Sequence, residues 1–144
     1  MSFKVLKDIN DSPCKRVTIS SITVTIGDLL QLPIGGVAWT LVTSASLHQA
    51  RKAIAMESAT TAATTLLVQE LNGTETVEAN CVAGTASLTH NGDRMVATDC
   101  TSIYNSGTDS TAKEAIFIQS GIGSTTSKIV GRVVVGSGVN PGAA

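Results

Sequence analysis

Apolar and polar positions alternate along most of the chain, which is the two-residue period of half-buried β-strands. In "VTISSITVTIGDLLQL", Val17 and Ile19, then Ile22, Val24 and Ile26, occupy alternate positions, and the phase slip at Ser20-Ser21 reads as a bulge. "PIGG" is a turn, and "VAWTLV" returns as a second strand carrying Trp39. "TTLLVQEL" predicts a further strand, followed by a turn at Asn72-Gly73 and by "ETVEANCV", which sets Val77, Ala79 and Cys81 on one face. "RMVAT", "EAIFIQ" and "KIVGRVVV" complete the set. Only around residues 44–62 does a helix compete, because Leu47, Ala50, Ile54 and Ala55 form a stripe at near-helical spacing.

The flanks differ from this middle. Residues 1–16 mix charge, Pro13 and scattered apolar residues without a sustained period, so they read as an extended N-terminal arm. Residues 136–144 are a flexible tail by composition. The expected fold is mainly β: a small antiparallel β-barrel or β-sandwich over residues 17–135, with room for one short helix. At 144 residues the chain suffices for one domain.

Composition narrows the function classes. The net charge is -1 and only 15% of residues are charged, so no large positive field exists, and nucleic acid is not an expected partner. Ser and Thr make up about a quarter of the chain, and aromatic residues are scarce, which suits pleated surfaces and turns. Cys14, Cys81 and Cys100 form an odd set without a CxxC pair, so neither a disulfide framework nor a zinc ribbon is expected. No 18-residue apolar run and no apolar leader segment occurs, so neither a cleaved signal nor a membrane span is expected.

Two halves of the chain echo one another. "ITVTIGDLLQL" matches "SLTHNGDRMVAT" through Gly27-Asp28 and Gly92-Asp93. "RKAIAMESATTAATTLLVQEL" matches "AKEAIFIQSGIGSTTSKIVGRVV", setting Ala53-Ile54 against Ala115-Ile116 and Leu67-Val68 against Ile129-Val130.

The candidate chemistry is thin. "SGIGSTTSKIVG" has the glycines, hydroxyls and lysine of a phosphate cradle, but Lys128 follows Ser127 and the next element reads as a strand, so the backbone donors of a P-loop are not built. A metal would have to recruit His90, Asp93, Asp99 and Cys100 from a turn-rich segment, and no cofactor is expected. Each Gly-Asp pair sits where one strand turns into another, which is turn chemistry before it is acid-base chemistry. No acid, base and nucleophile converge in the pattern, and no enzymatic activity is expected. Trp39 or Tyr104 leaves a second class open, a carbohydrate-binding or adhesin-like sandwich.

The arm, the strand entering "GDLLQL", the later "NGDRMVATD" with "NSGTDSTAKEAIFIQSGIGSTTSKIVGRVVV", and a closing strand that opens "KIVGR" resemble the β-barrel head-decoration, or capsid cement, proteins of tailed bacteriophages. The resemblance spans roughly Val17 to Val135 and implies a structural virion protein on the outer capsid surface, made in the host cytoplasm. It also implies a homotrimer whose partner is the major capsid protein. Within that reading, Phe3, Val5, Leu6 and Ile9 of the arm are the expected capsid-binding residues, since an apolar arm can order on a partner's sheet edge.

Overall fold

The computed structural model describes residues 1–8, 13–105 and 115–136. Ile9, residues 106–114 and most of the expected tail lie outside them. The described residues form twelve strands and a single 3-10 turn at Leu88–His90. Among them no helix is long and apolar enough to cross a membrane.

The strands make two sheets. The smaller runs β2 (Cys14–Thr18), β6 (Thr65–Glu70), β5 (Arg51–Ala55), β3 (Leu29–Leu32), β4 (Thr40–Leu41). It curls toward closure, because Trp39, just before β4, bridges Ile19, just after β2, and the Trp39 N–H donates to Thr18 O at 2.9 Å. Inside the curl lie Ile19, Leu30, Trp39, Ala53, Ala55, Leu66 and Val68. The larger sheet runs β8 (Arg94–Met95), β11 (Phe117–Ile122), β12 (Lys128–Val133), β7 (Thr76–Cys81), β10 (Ser102–Ile103), β9 (Ala97–Asp99). Its two ends, β8 and β9, are separated in the chain by Val96 alone, so this sheet also rolls back on itself.

The sheets share a wall. On β3 and β5, Leu29 and Ile54 face the core of the larger sheet while Leu30, Ala53 and Ala55 face that of the smaller. Lys52, fully buried on β5, ties this wall down: its ammonium donates to Leu47 O at 2.8 Å, Ala50 O at 2.7 Å and Val134 O at 3.4 Å. A buried cation is tolerated only with such partners, so Lys52 links the loop before β5 to the chain leaving β12.

Three sequence expectations change. The stripe at 44–62 is not a helix: Arg51–Ala55 is a central strand, and burial on both faces erases the alternation that would have announced it. The strand expected from Val17 to Ile26 instead begins at Cys14 and ends at Thr18, and only single bridges hold Ile19 and Val24 afterwards. Most consequentially, residues 1–16 are not a free arm. Phe3–Lys7 forms β1, paired antiparallel with β7, and Cys14–Thr18 pairs with β6. Phe3 is wholly buried in the larger core, and burying a side chain of that size contributes about 2–3 kcal/mol, enough to hold a short strand on its own sheet. The Asn72-Gly73 turn is present, with Gly73 at φ +92°, yet it carries the chain from one sheet to the other and closes no hairpin.

The internal echo holds as topology. The order β2-β6-β5-β3 in one sheet is repeated by β7-β12-β11-β8 in the other, every neighbouring pair antiparallel. Gly27-Asp28 and Gly92-Asp93 stand at matching places, each immediately before the edge strand of its set, with glycine φ values of +92° and +89°.

Candidate interaction surface

The residues expected to bind a partner separate. Phe3 points into the core, and Val5 packs half-buried against it. Leu6 is 48% exposed, and Ile9 lies outside the described residues. The bulge between Val5 and Lys7 explains the split, because one extra residue turns both Leu6 and Lys7 outward. On its far edge β1 has one backbone partner among the described residues, the Phe3 N–H to Gly27 O bond of 2.9 Å.

The Gly-Ser-Thr loop is the connection of the β11–β12 hairpin. Its Ser124 N–H, which a phosphate would need, donates to the Glu78 carboxylate at 2.8 Å, and Lys128 Nζ donates to Asn80 Oδ1 at 2.9 Å. A carboxylate already holds the anion position, so the loop repels a phosphate.

The titratable and metal-ligating candidates of the sequence are structural as well. His90 Nδ1 lies 2.9 Å from Asp93 Oδ2, across one turn. Asp28 is buried, and its carboxylate accepts from Thr25 N–H at 2.9 Å; desolvation pushes its pKa up against that bond. Burial, together with the Asp28 and Asp99 charges, pushes the Cys100 thiol up to about 11, and burial likewise raises Cys81. At neutral pH both remain thiols, which are poor nucleophiles. Among the described residues no three His, Cys, Asp or Glu side chains converge to hold a metal ion. Trp39 is 4% exposed with the Arg51 guanidinium 5.6 Å from its ring centre, so it offers no face to a sugar.

What sequence reading missed lies on the outer face of the larger sheet. Cross-strand register sets Arg94 beside Ile118, Ile118 beside Arg132, Arg132 one step past the Gly131–Val77 pair and hence beside Thr76, and Thr76 beside Lys7. The next row sets Val130 beside Glu78 and Glu78 beside Lys4. Lys4, Lys7, Arg94 and Arg132 are exposed, and none has an ion pair or side-chain hydrogen bond among the described residues. Two adjoining depressions of about 350 and 250 Å³ open on this face, both lined by Thr74, Ile118 and Arg132. Strand alternation carries the signal for Lys4, Arg94 and Arg132, Lys7 being turned outward by the bulge, but the pairing that aligns them is non-local.

No protein-family model matches the chain, and neither a curated protein nor a solved structure matches it.

Proposed function

We propose that the chain is a structural protein of the capsid-decoration kind, which docks on the outer surface of a tailed-phage head and braces the shell. The observation that carries the reading is the N-terminal segment. Its two strands join two different sheets, β1 lying against β7 of the larger and β2 ending the smaller, and they leave edges open between Val5 and Val17 among the described residues. Bare edges accept an added strand, and β-augmentation supplies main-chain hydrogen bonds to a partner whatever its side chains. Leu6, turned out beside that edge, is the apolar contact, whereas Phe3 and Val5 hold β1 in place for it. Copies repeated on a symmetric shell make modest single contacts effective, and trimer formation covers further edges.

The test is co-sedimentation of the purified chain with undecorated phage heads, alongside mass photometry of the chain alone. Saturable pelleting that Leu6→Asp weakens, with a trimer in solution, is the expected result. A monomer that pellets with no head preparation overturns the reading.

A further inference from the structure

We propose that the outer face of the larger sheet, centred on Arg94, Ile118 and Arg132, docks an acidic segment of a partner protein. The proposal rests on the structural-protein reading for the partner being a protein, and it adds the chemistry that partner must bring. Four cations, Lys4, Lys7, Arg94 and Arg132, stand exposed on one sheet face with no ion pair among the described residues. Glu78, the carboxylate of these rows, is buried and engaged by Ser124, and Glu75, which lines the smaller depression, is buried and accepts from the Asn72 and Gly73 N–H groups. By contrast, Lys15, Arg16 and Arg51 of the smaller sheet hold carboxylates of the same molecule, and its buried Lys52 is held by backbone carbonyls.

Geometry favours a protein chain over nucleic acid. Arg94 and Arg132 stand two strands apart, about 10 Å, within reach of carboxylates at alternate positions of an extended chain, which share a face about 7 Å apart and are bridged by the long arginine side chains. Ile118 lies half-buried between them beside the depressions, which admit side chains. Binding single-stranded nucleic acid draws on aromatic stacking, and Phe3 and Phe117, the aromatic residues of these strands, both point into the core. Arginine pairs bidentately with carboxylates, so two of the four cations also confer orientation.

The test is fluorescence anisotropy with three labelled probes: a ten-residue poly-glutamate peptide, a poly-glutamine peptide of the same length, and an oligothymidylate of matched charge. The poly-glutamate probe is expected to bind at least about tenfold more tightly than poly-glutamine, and to weaken as salt rises. In the Arg94→Ala/Arg132→Ala variant its affinity is expected to fall about tenfold with thermal unfolding unchanged. Equal affinity for the two peptides, or a double variant that binds like the parent, overturns the proposal. Tighter binding of oligothymidylate reassigns the face to nucleic acid, and salt-sensitive self-association lost in the double variant reassigns it to a second copy. Peptide binding without head binding would sink the capsid reading and leave this surface standing; head binding without peptide binding would do the reverse.

Discussion

The two sheets are built on one strand order and use their charges differently. In the smaller sheet, Arg51 donates twice to Glu70 at 2.6 Å, Lys15 reaches the same carboxylate, and Arg16 meets Glu57 at 3.0 Å. The Arg51 guanidinium holds the Glu70 carboxyl below its ordinary range, and Glu57 is lowered first by the Leu67 N–H that it accepts. In the larger sheet, Arg94 on β8 and Arg132 on β12 occupy outward positions and engage no acid among the described residues. Charge spent on the fold in one copy of the frame is left on the surface in the other, and on that difference rests the proposal that the larger sheet docks a partner.

The comparison can first be broken in the two cores. Phe117→Ala in the larger core and Leu66→Ala in the smaller are each expected to cost about 3–4 kcal/mol, because a buried side chain leaves a cavity. Since Leu29 and Ile54 couple the cores, each variant should shift one cooperative urea transition. Two separated transitions would show that the halves fold independently.

Acid titration sharpens the contrast at a smaller scale. Glu70 has a lowered folded pKa, so its contribution is present above the unfolded value of about 4.3 and is lost as pH falls through the folded one. Glu70→Gln should therefore lower the urea midpoint at pH 7, by about 1–2 kcal/mol in stability, and converge with the parent in acid. Asp28 has the opposite sign: its raised pKa means that the ionised form costs stability at neutral pH, relieved as pH falls through that value. Asp28→Asn keeps the Thr25 acceptor and is expected to raise the pH 7 midpoint. A gap between Glu70→Gln and the parent that persists unchanged in acid would remove Glu70 from the paired network.

The smallest effect concerns thiols. Iodoacetamide at pH 8 should modify exposed Cys14 well before Cys81 and Cys100, both held as thiols by burial. Peptide mass spectrometry showing Cys100 labelled first would contradict its place beside Asp28 at the start of β3.

The sequence carried the β class and the echo because both rest on local alternation and on Gly-Asp turns. It misplaced β5 because Lys52–Ala55 is buried on both faces, and a short unbroken apolar run looks alike as strand or helix. It took β1 for an arm because five residues with a bulge show no lasting period, although Phe3 anchors them. The cationic rows were illegible for another reason: Lys7, Arg94 and Arg132 are far apart in the chain and meet only through pairings across β1, β7, β12, β11 and β8. A net charge of -1 averages such a face away.

The central claim, that the same frame pairs its charge within the molecule in one sheet and leaves it unpaired on the surface in the other, is tested by neutralising each set in turn. Thermal unfolding and poly-glutamate binding would be measured together on Arg51→Ala and on Arg94→Ala/Arg132→Ala. Arg51→Ala should lose about 1–2 kcal/mol, a fall of several degrees in Tm, and keep the peptide. The double variant should keep its Tm and lose the peptide, whereas a double variant that unfolds earlier while binding unchanged would contradict the account.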